Sequence, residues 1–189
     1  MIQIINAQNA ALLVKDGMTL AVSGFGAHSP CDELLKALEE RYAQTGHPKG
    51  LTVIGGICGG NNREDDISFN RLKDPGLIDT LIAGHVGNAP CISKAIMNNE
   101  IAAYLLPLGI VMQLYRASAA HNKGILSHVG LGTFVDPRME GAKANKKTRD
   151  QKRDMVKLVN IDDQEMLYYR ASPPDVCFIR GTYADSEIG

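Results

Sequence analysis

Apolar positions along the chain follow two alternating periods, and each change of period falls at glycine or proline. Residues 7 to 15, AQNAALLVK, have helical spacing, and MTLAVSG (18 to 24) is an apolar run of strand length that ends in glycine. From Pro30 the helical period returns. Leu34, Leu35, Leu38 and Tyr42 share one face, and Asp32 and Glu33 lie in the first turn, where carboxylates complement the positive end of the helix dipole. The order strand, glycine turn, helix then repeats. In GLTVIGGICGGNN (50 to 62) a β-branched run dissolves into Gly55, Gly56, Gly59 and Gly60. In DTLIAGHVGNAPCISKAIMNN (79 to 99) an apolar run and glycines precede a helix opened by Pro90. In IAAYLLPLGIVMQLYRASAA (101 to 120), Met112, Leu114, Tyr115 and Ala119 read as helical after a break at Pro107 and Gly109. Because parallel strands need long crossovers, this alternation predicts an α/β fold, an open, mainly parallel sheet flanked by helices.

Around residues 138 to 155 the texture changes. RMEGAKANKKTRDQKRDM is charged and poor in large apolar residues, which predicts an exposed excursion from the sheet with a solvated face. VKLVNIDDQEMLYYRA then reads as two strands joined by a turn at Asp162 and Asp163, and DVCFIRG (175 to 181) as another buried strand.

Composition narrows the picture. With 189 residues, 44% of them apolar, one core and one domain, 1–189, are expected. A formal net charge of −1 predicts no general attraction to nucleic acid or anionic lipid, so neither a nucleic-acid nor a membrane partner is expected. The opening MIQIINAQNAALLVKDG has no leader pattern and no run reaches 18 apolar residues, which predicts a cytoplasmic chain. Cys31, Cys58, Cys91 and Cys177 are widely spaced. No metal site or disulfide framework is expected of them, only small, partly buried hydrophobes.

In an open parallel sheet, ligands bind beyond the carboxyl ends of the strands, and the glycine clusters fall at such ends. Glycine there permits positive φ and close backbone approach, and helix amides can hold negative charge. Known motifs of other classes are missing. GFGAHS has Ser29 where a dinucleotide fingerprint has its third glycine, no Walker lysine loop occurs, and no serine sits in G-x-S-x-G. His28, His85, His121 and His128 lie in loop-like positions and read as local hydrogen-bonding residues. From the residues alone, the chain is an α/β ligand-binding domain with a glycine-lined edge.

Five segments in order carry a resemblance further: VSGFGAHSP (22 to 30), AGHVGNAPCISK (83 to 94), LPLGIVMQLYRASAAHNKGILSHVGLGTF (106 to 134), LGTFVDPRMEGAKAN (131 to 145) and GTYAD (181 to 185). Together they closely resemble the N-terminal, α-subunit-like half of family I coenzyme A transferases of the acetate/propionate type, and G-T-F-V-D-P-R is their most specific part. The resemblance implies a ping-pong transfer of coenzyme A between short-chain acyl-CoA and a carboxylic acid. A glutamate attacks the thioester to give an acyl-glutamyl anhydride, and the CoA thiolate converts this into a glutamyl-CoA thioester. An incoming carboxylate then leaves as the new acyl-CoA. It implies CoA as substrate and no permanently bound cofactor. It also implies substrate-binding roles for Gly24, Phe25, Gly26, Leu108, Gly109, Thr133 and Phe134.

The nucleophilic glutamate belongs to the family's second half, and no glutamate here matches it. Glu33, Glu39 and Glu40 fall on a predicted helix, Glu64 in a polar loop and Glu165 at a turn. No catalytic residue is therefore assigned in this chain, and the expected partners are acyl-CoA, a short carboxylate and a C-terminal, β-like half or subunit, in an oligomer. Two positions depart from the family. Leu108 stands where many members carry a glutamine whose amide helps form the oxyanion hole, and leucine has no donor in its side chain. Ala142 stands where related sequences usually have glycine. The alternatives from other classes are a non-catalytic binding or assembly domain of the same fold and, on sheet architecture alone, a sugar-phosphate isomerase.

Overall fold

The computed structural model describes residues 3–26 and 28–185. Met1 and Ile2 of the opening segment, Ala27 of the glycine motif and residues 186–189 lie outside the described residues.

Five strands form one wholly parallel sheet: β1 (Thr19–Val22), β2 (Leu51–Ile57), β3 (Ile78–His85), β4 (Ala102–Leu105) and β8 (Val176–Phe178), in the order β4-β3-β2-β1-β8. The predicted α/β class and mainly parallel sheet are thus the observed ones. Successive residues face opposite sides, so Leu20, Val53, Leu81 and Ala103 enter one core and Ile54, Ile82 and Tyr104 the other. Over the first face lie α1 (Ala7–Ala11), α2 (Asp32–Thr45), a 3-10 turn at Ser68–Leu72 and α3 (Pro90–Met97). Over the second lie α4 (Leu108–Ala119) and a three-stranded antiparallel sheet, β5-β7-β6, made of β5 (Gly124–Ser127), β6 (Val156–Ile161) and β7 (Gln164–Arg170). The turn between β6 and β7 is Asp162 and Asp163, both at positive φ, as a two-residue hairpin requires. Helix α5 (Lys146–Asp150) precedes β6.

Four expectations change. The first helix stops at Ala11, short of Lys15, because the Arg41 guanidinium takes the carbonyls of Ala11 and Val14 at 2.6 and 2.7 Å. Strand β2 runs through Gly55 and Gly56 instead of dissolving there. A Cβ on Gly55 would lie 2.6 Å from the Phe69 ring and one on Gly56 2.6 Å from Met112 Cε, so these glycines make room for neighbours inside a strand.

Charged segment 138–155 is more than an exposed excursion. It runs along the outer edge of β4 and buries Ala142, Asn145 and Thr148. Strand β8 is an edge strand on which Phe178 is buried and Cys177 exposed, so neither the whole strand nor all four cysteines are buried. Cys31 and Cys58 do behave as core residues, and burial pushes the Cys58 thiol well above its ordinary range.

Candidate functional site

Strands β1 to β4 release their chains at one edge of the sheet, and three of the loops interlock through backbone. After β1, Gly24 and Gly26 take positive φ, at 132° and 58°. This lets Phe25 and His28 exchange backbone hydrogen bonds of 3.1 and 2.9 Å in a tight turn. Gly60 of the β2 loop donates its N–H to Gly26 O at 3.1 Å. Asn62 donates to Asn88 O in the β3 loop at 3.2 Å, and the Asn88 amide returns a bond to Asn62 Oδ1 at 3.1 Å. A Cβ on Gly60 would sit 2.0 Å from Asn88 O. Close packing of the loops therefore accounts for that glycine. It does not account for Phe25, whose ring is 61% exposed at the rim and is no part of the core.

The fourth loop begins α4. A Cβ on Gly84, near the end of β3, would meet Gly56 O at 2.7 Å and Leu108 Cα at 3.0 Å. These two bare positions let the start of α4 settle on the strand ends. Pro107 O accepts from Ile110 and Val111 at 2.9 and 3.1 Å, which leaves the N–H groups of Leu108 and Gly109 without an acceptor among the described residues. Gly109 has open space where a Cβ would be, so packing does not demand a glycine there. The side chains of Leu108 and Met112 are exposed beside it.

Thr133 and Phe134 occupy a separate, tightly braced loop. Asp136, fully buried, accepts from Gly132 N at 2.9 Å, Arg138 N at 3.0 Å and the Arg138 guanidinium at 2.8 and 3.0 Å. That guanidinium, followed by the two amides, holds the Asp136 carboxyl well below the usual carboxylate range. Thr133 turns its hydroxyl back to Gly130 O at 2.7 Å, and Phe134 is exposed. The loop reaches the sheet where Phe134 O accepts from Ala142 N and Ala142 O accepts from Leu105 N, the last residue of β4. The structure thus gathers Gly24, Phe25 and Gly26 with the β2 and β3 loops, sets Leu108 and Gly109 against β2 and β3, and attaches the loop of Thr133 and Phe134 to the sheet through Ala142 and the buried Val135.

One participant went unnoticed in the sequence: Asn88 links the β2 and β3 loops, and its place among glycines in HVGNAP was the available signal. Helix amides were expected at this edge in general terms, and the main-chain donors of α4 carry no side-chain signal that singles them out. Elsewhere, Glu39 is held by Arg71 at 2.9 Å and Glu165 by Arg138 at 3.0 Å. His121 lies past the C-terminal end of α4. The glycine edge offers a charge-seeking helix N-terminus, loop amides and apolar rims, a combination suited to polarising a carbonyl in a partly dry cleft.

Comparison with known proteins agrees in kind. A family model described as Coenzyme A transferase matches residues 4–188. Acetate CoA-transferase YdiF of Escherichia coli (strain K12) is 41% identical over 187 residues, 98% of this chain and 34% of that protein. Caffeate CoA-transferase of Acetobacterium woodii is 38% identical over 185 residues, again 98% of this chain and 34% of the other. The crystal structure of Acyl-CoA transferase YdiF from E. coli O157:H7 in a thioester complex with CoA superposes with a TM-score of 0.90 at 40% identity, covering 96% of this chain and 35% of that one. The chain spans about a third of the length of these relatives. No helix among the described residues is long and apolar enough to cross a membrane. By the reach of the family match and by its fold, the chain belongs to the coenzyme A transferase family.

Proposed function

We propose that this chain is the scaffold part of a cytoplasmic CoA-transferase that exchanges coenzyme A between a short-chain acyl-CoA and a carboxylic acid, with its nucleophilic glutamate supplied by the complementary, β-like part of an oligomeric enzyme. The glutamate oxygen attacks the thioester carbonyl, the C–S bond breaks and CoA leaves as thiolate. The thiolate attacks the glutamyl carbonyl of the anhydride and expels the first acid. The incoming carboxylate reverses both steps. In each step a carbonyl oxygen gains negative charge, and this chain's task is to receive it.

The observation that carries the reading is the exposed start of α4, where the Leu108 and Gly109 N–H groups have no acceptor among the described residues. They stand at the motif where the family resemblance implies a glutamine amide. Leucine removes the side-chain donor and leaves the two main-chain donors, reinforced by the helix dipole. Gly24, Phe25 and Gly26 form the neighbouring wall, and Phe25 helps to exclude water from the anhydride. Thr133 and Phe134 border the same edge.

The test uses the complete enzyme, with this chain joined to or mixed with its complementary part, and follows CoA exchange between acetyl-CoA and a second short acid. Proline is tolerated in the first turn of a helix, so Gly109→Pro deletes one donor and keeps α4. Its expected effect is a fall in kcat of about 100-fold. Exchange unchanged in Gly109→Pro would remove the amide from the mechanism. The second reading, a non-catalytic assembly domain, draws on Leu108 itself and predicts no exchange with any short acid in the complete assembly.

A further inference from the structure

The antiparallel sheet turns one face inward and one outward. Leu167 and Tyr169 of β7 and Val156 of β6 are buried, so the alternation of strand residues puts Lys157, Tyr168 and Arg170 together on the outer face. Gly124 is in register with Arg170, and a Cβ on it would lie 2.7 Å from the Tyr168 ring. The missing side chain makes room for that ring, and its hydroxyl donates to Lys123 O at 2.7 Å. At this end of the sheet opens a cavity of about 460 Å³, lined by Lys123, Lys157, Tyr168 and Arg170 with His121 and Pro173.

Its charge is unbalanced. In a chain whose net charge is −1, Lys123, Lys157 and Arg170 pair with no carboxylate among the described residues. The one carboxylate on the cavity wall, Asp154, is held by Lys143 at 2.7 Å. Arg153, half-buried, donates to Ser172 Oγ and has no carboxylate either. Burial and, after it, the charge of Arg170 hold Arg153 below the ordinary guanidinium range. A guanidinium stays protonated all the same, so two like charges are kept close at a cost. The carbonyl end of α4 favours one cation nearby, which accounts for Lys123 alone. Lys157 and Arg170 come from other strands, and an anion in the cavity offsets all of these charges at once.

We infer that this cavity binds a small ligand through a di- or triphosphate group, separate from the CoA under exchange. Three cations exceed the single charge of a short monocarboxylic acid, and a guanidinium fork with two lysines suits the oxygens of adjacent phosphates. The volume is that of a small-molecule site, and Tyr168 and Pro173 offer apolar surface to the rest of the ligand. Helix α4, 12 residues and about 18 Å long, separates the cavity from the Leu108 and Gly109 amides. An occupant therefore sits a helix length from the proposed oxyanion donors. Binding requires no exchange of CoA, so this inference and the transferase reading fail separately.

Calorimetry of the full 189-residue chain with inorganic pyrophosphate is expected to show one site, and Arg170→Gln and Lys157→Gln are each expected to weaken it about tenfold or more. Lys36→Gln removes the same charge from α2 and is expected to leave binding unchanged. No binding, or an equal loss in Lys36→Gln, would overturn the site. ADP, citrate and CoA are then titrated in turn. ADP no tighter than pyrophosphate gives the site to the phosphates alone, and tighter ADP adds the nucleoside; both results support it. Citrate as tight as pyrophosphate would mean a site for charge of any kind, and binding of CoA with neither pyrophosphate nor ADP would return the cavity to the substrate. Either result overturns the inference. The titration is repeated on the complete enzyme of the exchange assay, where loss of binding assigns the cations to the complementary part and overturns it as well. Should Arg170→Gln not fold, Lys157→Gln, at an exposed position, carries the comparison.

Discussion

Along β4, the outer strand groups meet partners from segment 142–148, whereas the outer edge of β8 has no strand beside it among the described residues. At the closed edge, Leu105 donates to Ala142 O at 2.9 Å, Ala144 donates to Ala103 O at 3.0 Å, and Ala103 donates to the Thr148 hydroxyl at 2.7 Å. Asn145 locks the segment in place. Its amide donates to Ile96 O and Ile101 O at 2.7 and 2.8 Å, and its Oδ1 accepts from Thr148 N at 2.9 Å as the cap of α5. The open edge has instead the short strand β8, exposed Cys177 and Ile179, and an uncovered groove. Open edges invite pairing, and in the described residues the two outer strands differ in this: the edge of β4 is closed by the chain itself, and that of β8 is not.

The contrast can be broken first at Asn145. Asn145→Ala leaves the Ile101 carbonyl and a helix N–H without partners and takes from Ile96 O one of its donors, Asn99 N–H remaining, and about 3 kcal/mol of loss is expected in urea unfolding, with β4 the first strand to lose amide protection. Acid probes the brace that feeds the closed edge. Because the folded Asp136 carboxyl lies below its ordinary value of 3.8, its contribution is complete above that value and drains away as pH falls beneath it. Unfolding midpoints measured from about pH 7 down to about pH 2 should therefore fall at the acid end, and Asp136→Asn should flatten that part of the profile.

Ala142→Gly sharpens the comparison from the other side. Ala142 is fully buried at a φ of 64°, a left-handed backbone that costs an alanine about 1 kcal/mol. Glycine relieves this and loses a methyl contact and some unfolded-chain restriction, so a net gain of about 0.5 kcal/mol is expected in the same urea unfolding. At the open edge, Cys177→Ser should change the stability of the isolated chain by less than about 0.5 kcal/mol. A larger loss there would mean that the β8 face is already packed.

Much of this was legible in the chain. Strand, glycine turn and helix were marked by changes of period at residues 18–45, 50–62, 79–99 and 101–120, and Asp162 and Asp163 announced their hairpin. Local sterics and periodic burial write these directly, because a residue's neighbours in sequence determine both. Gly24, Gly26, Gly59 and Gly60 also lie just past the carboxyl ends of their strands, as their runs suggested. Reading Gly55 and Gly56 as a strand end failed because the demand on them comes from Phe69 and Met112, distant in sequence. Reading 138–155 as solvated failed because three short residues, Ala142, Asn145 and Thr148, are buried among lysines and arginines by contact with β4.

The sequence by itself therefore determined the α/β class, the repeating units and the family, all of which rest on local pattern and ordered motifs. Only the tertiary structure decided that Leu108 leaves main-chain donors bare at the strand ends, that Ala142 is held at positive φ, and that one sheet edge is sealed while the other stands open. These are relations between segments far apart along the chain. Their energies come from hydrogen bonds and surfaces that exist only once the strands lie side by side.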